Sequence, residues 1–158
     1  MEKLLEKYLN EHKIAYIKHL HPAVFTVVES NSVIKNFHGV RAKNLFLKDD
    51  SKNFYLVCLP VDKRLNMKQL QIYLGVPKLH FGSPEELKSE LNVTPGSVSI
   101  FCMIYSNSVC LIVDQSIYNA DIVGFHPNLN TATLELSHND FLKFFNSLKC
   151  KKQVLELK

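Results

Sequence analysis

The stretch NLFLKDDSKNFYLVCLP, Asn44 to Pro60, constrains the fold of this chain more than any other. Two apolar runs flank Asp49-Asp50-Ser51-Lys52-Asn53, a polar cluster with room for a turn and nothing more. Strand, polar turn, strand is a hairpin signal. A regular alternation of helices with parallel strands does not accommodate it.

The segments on either side fill in a mixed order. Leu4, Leu5, Tyr8 and Leu9 recur at helical spacing, and IAYIKHLH then alternates as a half-buried strand until Pro22. A polar region from Glu29 to Asn36 takes the next helical slot. After the hairpin, Asn66 can cap a helix through Leu74 that Gly75 stops. Ser83-Pro84-Glu85-Glu86 opens another, with a serine cap, proline at the first helical position and glutamate three residues past the cap. VTPGS is a turn, and SVSIFCMIY with SVCLIVDQ reads as two buried strands joined by Ser106-Asn107-Ser108. TATLELS alternates again, and Ser137 caps an amphipathic helix carrying Phe141, Leu142, Phe144 and Phe145. VLEL closes the chain as a short strand. The predicted order is α-β-α-β-β-α-α-β-β-β-α, a mixed α/β (α+β) arrangement. With no repeat or Pro/Gly/Ser-rich linker in 158 residues, residues 1–158 are expected to form one domain.

Composition excludes several classes. With 46% hydrophobic and 22% charged residues the chain is globular rather than disordered. No apolar run reaches the roughly 18–20 residues a membrane span needs, and MEKLLEKYLNEHK lacks the apolar centre of a signal peptide. The expectation is a cytoplasmic protein without membrane contact. Four cysteines, none in a C-x-x-C pair, fit buried free thiols in a reducing compartment, although Cys102 and Cys110 would face each other across a hairpin. A net charge of +4 from scattered lysines permits contact with a nucleic-acid backbone without demanding it.

Nucleotide-binding and hydrolase signatures are missing: neither G-x-x-x-x-G-K-[ST], G-x-G-x-x-G nor G-x-S-x-G occurs. Seven histidines invite a metal, with His19 and His21 on one strand face and His38 and His126 elsewhere. No H-E-x-x-H or mixed Cys/His spacing supports it, so neither metal nor cofactor is expected. Lys43-Asn44 directly precedes the apolar run LFL, which puts a point charge suited to phosphate at the mouth of a strand. A solvated strand-end lysine would look the same. GFHPNLNTAT, Gly124 to Thr133, gathers His126, Asn128, Asn130, Thr131 and Thr133 behind the stiffening Pro127. Such a loop can surround a polar ligand, and turn capping would use the same residues.

Five segments then occur in order: HPAVFTVVE (His21 to Glu29), RAKNLFLKD (Arg41 to Asp49), SPEEL (Ser83 to Leu87), VTPGSVS (Val93 to Ser99) and GFHPNLNTAT. Together they closely resemble the YbaK/ProX family of aminoacyl-tRNA editing proteins, nearest to the freestanding Ala-tRNA(Pro) deacylases and the insertion domain of bacterial prolyl-tRNA synthetase. The resemblance runs from Leu4 to Phe145. It implies a largely antiparallel curved sheet or barrel flanked by helices, and a trans-editing activity that removes alanine from mischarged proline tRNA. The implied partners are the acceptor end of that tRNA and prolyl-tRNA synthetase.

Carried over residue by residue, the resemblance makes Lys43 the contact to the acceptor-end phosphate, with Asn44 its matched neighbour. His126 is the FHP histidine, expected as a positioning donor, and Gly96 is the functional glycine of VTPGSV. Thr26 matches a threonine near the pocket; Val24 and Phe25 are candidate walls, and Ser97, Asn128 and Asn130 candidate substrate contacts. Water attacks the ester, assisted by backbone groups and the terminal ribose hydroxyl, so no protein nucleophile is required. Two positions depart from the family pattern. Ile100 stands where the glycine loop commonly ends in proline, and Asn128 where many relatives carry an apolar residue. Two alternatives therefore stay open: a deacylase for Cys-tRNA(Pro) or another small aminoacyl ester, and a non-catalytic tRNA- or synthetase-docking module of the same fold.

Overall fold

The computed structural model of the protein describes residues 2–22, 37–129 and 131–158. The polar region Glu29 to Asn36, and the candidates Val24, Phe25, Thr26 and Asn130, lie outside the described residues.

The central hairpin forms as expected from its sequence. Strand β2 (Val40–Asp49) pairs antiparallel with β3 (Phe54–Pro60), in a register from Ala42↔Pro60 to Lys48↔Phe54. Asp49 pins the turn between them. Its carboxylate accepts from the Ser51 and Asn53 backbone N–H groups, the Asn53 amide and the Tyr55 hydroxyl, each at 2.9 Å.

Around this hairpin a mixed sheet assembles. β1 (Ile17–Leu20), β7 (Ala132–Ser137) and β6 (Ile122–Phe125) lead to β2, and β3 continues to β5 (Cys110–Asp114) and β8 (Lys152–Leu155). The pairings β1·β7, β7·β6 and β2·β3 are antiparallel, whereas β6·β2, β3·β5 and β5·β8 are parallel. The last strand, β4 (Leu79–Phe81), pairs antiparallel with β2 at Leu47 to Asp49. β6 meets the same strand only at Val40 and Arg41. One edge of β2 is thus shared between two strands that do not meet.

Alternation splits the sheet into two faces. Ala42 and Phe46 of β2, Leu56 and Cys58 of β3, and Val123 and Phe125 of β6 join the larger core. There they pack against α1 (Lys3–Glu11), α3 (Pro84–Leu91) and α5 (His138–Ser147). Leu47, Tyr55, Val57, Leu59 and Ile112 turn the other way, into a smaller core under Leu70 of α2 (Met67–Leu74). The remaining helix, α4 (Gln115–Tyr118), follows β5 and sends Ile117 into the larger core.

The capping signals hold. Asn66 accepts from the Gln69 N–H and left-handed Gly75 (φ 68°) stops α2. Ser83 and Glu86 form a complete capping box, and Ser137 caps α5 through the Asp140 N–H.

Two expectations are corrected. SVSIFCMIY is not a strand: Ile100–Tyr105 forms a 3-10 helix. β5 has β3 on one edge and β8 on the other, so the hairpin partner this run was expected to be finds both edges of β5 taken. The apolar run instead buries Ile100, Phe101, Cys102 and Met103 in the larger core as a short helix. No hairpin then joins Cys102 to Cys110, and all four cysteines are free thiols. Nor does Lys43-Asn44 sit at a strand mouth, because β2 begins three residues earlier, at Val40. No helix among the described residues is long and apolar enough to cross a membrane.

Candidate active site

The site grows out of the shared edge of β2. The Arg41 carbonyl accepts from the Val61 N–H at 2.9 Å, so odd-numbered residues of β2 bond toward β3. Antiparallel alternation then aims the backbone polar groups of Ala42 and Asn44 at the opposite edge. That edge is paired with β6 through Arg41 and with β4 from Leu47 onward. The Phe46 carbonyl is taken by the Gly82 N–H at 2.9 Å. Among the described residues no strand pairs with this edge between β6 and β4, and Lys43-Asn44 lies at that opening.

The FHP motif arrives at the same place. β6 runs parallel to β2 with Arg41 opposite Gly124, so the chain leaves β6 at the level of Ala42 and Lys43. Phe125 faces the larger core and Gly124 the opposite face. A Cβ at Gly124 would lie 2.9 Å from the Phe37 ring and 3.1 Å from the Thr133 methyl. Only glycine lets those two side chains close over β6.

This second face carries polar side chains on β1, β7 and the start of β2. His21 donates from Nδ1 to the Pro22 carbonyl at 2.8 Å, and its Nε2 meets the Thr133 hydroxyl at 3.0 Å. His19 pairs with Glu135 at 3.0 Å. The His126 ring lies 6.5 Å from that of His21 and feels the charge of Arg41. Alternation along β2 places Arg41 and Lys43 on this face as well. Lys43 makes no ion pair or side-chain hydrogen bond with a described residue.

The protonation of His126 follows from its partners. Nδ1 lies 3.3 Å from the Ala132 carbonyl, which can only accept, so Nδ1 carries the proton. Burial lowers the affinity of the ring for a second proton; the Ala132 carbonyl opposes this, and His21 and Arg41 add to it. The net shift is below the ordinary value near 6.5. Nε2 of the neutral ring is then an acceptor. The expectation of a positioning donor is corrected on this point, because the one N–H is already committed to the backbone.

Lys43 and Asn44, neighbours in sequence, point to opposite faces. Asn44 shares its face with Ala42 and Phe46, and its Oδ1 is buried without a partner. Asn128 is also on the buried side, 6% exposed, in the left-handed conformation at φ 62°. Its Oδ1 accepts from the Cys102 thiol at 3.1 Å, whereas its Nδ2 has no partner. Among the described residues three buried side-chain polar atoms lack a hydrogen bond, and two of them belong to these asparagines. Buried orphans are costly, and the Asn44 one lies on the stretch of β2 edge that no described strand pairs.

Gly96 sits apart from these groups. Ser97 N–H bonds back to the Thr94 carbonyl at 3.1 Å, closing a turn with Pro95 second and Gly96 third at φ 89°. Glycine suits that position because it alone takes positive φ without strain. Gly96 is exposed and half-buried Ser97 follows it; the loop meets the site through Ser99, Cys102 and Asn128. Sequence reasoning missed Arg41, Thr133 as partner of His21, and the link from Cys102. Arg41 was legible as the residue two before Lys43 on the same strand face; nothing in the sequence marked Cys102. No group of three or more histidine, cysteine or acidic residues capable of holding a metal occurs among the described residues.

Comparison with known proteins adds a second, independent line. The model of the aminoacyl-tRNA editing domain matches residues 21–144. The prolyl-tRNA editing protein ProX of Acetoanaerobium sticklandii is 35% identical over 139 residues, 85% of this chain and 84% of that one. Prolyl-tRNA synthetase associated domain-containing protein 1 of Danio rerio is 32% identical over 148 residues, covering 91% and 80%. A solved structure described as a candidate trans-editing enzyme for prolyl tRNA synthetase superposes with a TM-score of 0.76, covering 100% of this chain and 98% of that one. At 18% identity it speaks for the fold alone.

Proposed function

This chain belongs to the aminoacyl-tRNA editing domain family, and from that premise we propose that it is a trans-editing deacylase hydrolysing alanine from mischarged proline tRNA. The observation that carries the reading is the opening on the edge of β2, where Lys43 and Asn44 meet the chain that leaves β6 for the FHP loop and the buried Asn44 Oδ1 has no partner among the described residues. A docking surface has no use for such atoms; a site that closes on a polar substrate does.

The parts divide between the two faces. On the outer face Lys43, which has no side-chain partner among the described residues, takes the acceptor-end phosphate, and Arg41 strengthens the field around it. Contact of this kind tracks the backbone of a single-stranded end rather than a helical groove. The His126 Nε2 lone pair accepts from the terminal ribose hydroxyl, orienting it toward the water that attacks the ester carbonyl. The bond from the carbonyl carbon to the ribose oxygen then breaks, and the water's proton ends on that oxygen. On the buried face the orphaned Asn44 Oδ1 accepts from the amino group of the alanine. No protein nucleophile takes part.

Selectivity rests on size. A pocket shaped for proline discriminates against smaller amino acids by only about 1–3 kcal/mol per methylene, so a second, smaller sieve is required. The opening in a sheet is such a sieve; Val24, Phe25, Thr26 and Asn130 are proposed to complete its wall, and prolyl-tRNA synthetase is the proposed source of the mischarged tRNA.

Proline tRNA charged with alanine, cysteine, serine or proline, incubated with the protein and followed for ester loss, tests the proposal. Rapid loss of alanine with proline retained is the expected result. Loss of cysteine alone moves the substrate to the next small amino acid. No ester lost faster than spontaneously leaves a docking module in its place.

A further inference from the structure

The loop that carries His126 is held by an unusual anchor. Asn128, two residues on, adopts a left-handed conformation that asparagine tolerates better than most residues. Glycine would serve that φ at least as well, so the conformation alone does not explain a buried amide here. The amide has one side-chain contact. Its Oδ1 accepts from the Cys102 thiol at 3.1 Å, and its Nδ2 touches no partner. Cys102 is fixed in turn, its sulfur accepting from the Ser99 N–H at 3.3 Å in the first turn of the 3-10 helix. The Ser99 hydroxyl accepts from the Phe101 N–H at 3.3 Å. A buried relay thus runs from the VTPGSVS loop through Ser99 and Cys102 to Asn128, and ends two residues from the catalytic-site histidine.

We propose that Cys102 and Asn128 are positioning residues for His126: the thiol–amide hydrogen bond fixes the turn after Pro127 so that Nδ1 stays on the Ala132 carbonyl and Nε2 stays open toward the substrate. Burial makes the thiol suitable. It pushes the Cys102 proton affinity up to about 12 and keeps the S–H a donor throughout the physiological range. The two motif loops, 26 residues apart at this contact, are coupled by one bond. Asn128, where the family pattern is commonly apolar, therefore has work to do that an apolar residue cannot perform.

The proposal rests on the editing reading for its kinetic consequence, yet its structural half is read directly from the ring. The first measurement is the ¹⁵N spectrum of the His126 imidazole in the wild type and in Cys102→Ala, Cys102→Ser and Asn128→Gly, with melting temperatures recorded alongside. Wild type should show a single Nδ1–H tautomer. Cys102→Ala and Asn128→Gly should both show a mixture, while Cys102→Ser, which keeps a donor, should restore the single form. Asn128→Gly keeps the positive φ and so removes the anchor without straining the turn, which covers the case of a poorly folding Cys102→Ala. With Ala-tRNA(Pro) as substrate, the two anchor-breaking variants should lower kcat by about tenfold to a hundredfold with little change in KM, the scale of a misplaced group. An unchanged tautomer in both variants overturns the proposal, as does a serine variant no better than alanine. A ring that responds as expected in a protein that deacylates nothing supports the anchor and rejects the editing reading instead.

Discussion

The motif KNLFLKD occupies a single strand, and its two ends are built on opposite terms. At the Asp49 end the strand's charged side chains, Lys48 and Asp49, both have partners. The carboxylate accepts four hydrogen bonds, and Lys48 reaches Glu86 at 2.8 Å while Glu86 also accepts from the Ser83 N–H at 2.9 Å. At the Lys43 end the ammonium has no partner among the described residues, Asn44 Oδ1 is buried alone, and the strand edge stands between two neighbours that do not meet. Saturated polar groups stabilise a fold; unsaturated ones cost stability and are kept where a ligand completes them. One end of β2 serves the fold, and the other is the end proposed to meet the substrate.

Substitutions at the two ends should separate these roles. Lys43→Ala should reduce deacylation of Ala-tRNA(Pro) by about a hundredfold or more, the scale for losing a charged contact in a transition state, with the melting temperature unchanged. It should also lower the salt dependence of tRNA binding by roughly one phosphate. A large fall in melting temperature would mean that Lys43 belongs to the structural end after all. Asp49→Ala should do the reverse. It strands the Tyr55 hydroxyl and the turn N–H groups at a cost of about 2–3 kcal/mol, seen in urea denaturation, while activity at saturating substrate is retained.

Acid separates the ends further. Burial by itself would raise the Asp49 carboxyl, but its bonds to Asn53, Tyr55 and Ser51 outweigh this and hold it below the ordinary 3.8. Glu86 is held at about 2, chiefly by Lys48 and the Ser83 N–H, against an ordinary 4.5. Both carboxylates bind protons more weakly folded than unfolded. Their stabilisation is therefore complete above about pH 4.5 and is lost as the pH falls toward about 2. His126 acts earlier. Its neutral form, the one that offers Nε2, persists at neutral pH and is lost only as the pH falls through a value below 6.5. Deacylation should fall on the acid side before the fold does, and the two curves, rate and melting temperature against pH, should not coincide. The smallest expected effect is at Lys48→Ala, whose part-exposed pair with Glu86 is screened by solvent and whose loss should leave the rate untouched.

Most of the frame was legible in the sequence because its signals are local. The Asp49 turn, the Ser83 capping box and the Asn66 and Ser137 caps each involve residues within four positions of one another. The 3-10 helix was not, because IFCMIY is as apolar as a strand and only the occupied edges of β5 decide against one. At the candidate site, the motifs named Lys43, Asn44 and His126, and the structure puts the chain leaving β6 toward His126 level with Ala42 and Lys43 of β2. With the pair expected at a strand mouth, they did not reveal that Lys43 and Asn44 face opposite ways, which follows from both lying inside β2. Nor could they give the tautomer of His126, which the Ala132 carbonyl decides, or the thiol of Cys102 that reaches Asn128 across 26 residues.

The most direct test of a strand with one structural and one functional end is a single-turnover deacylation assay on Ala-tRNA(Pro), run side by side with wild type, Lys43→Ala and Lys48→Ala. The account predicts rapid hydrolysis by wild type and Lys48→Ala and near-background rates for a fully folded Lys43→Ala. Equal rates for the two lysine variants, or wild-type activity in Lys43→Ala, would contradict it.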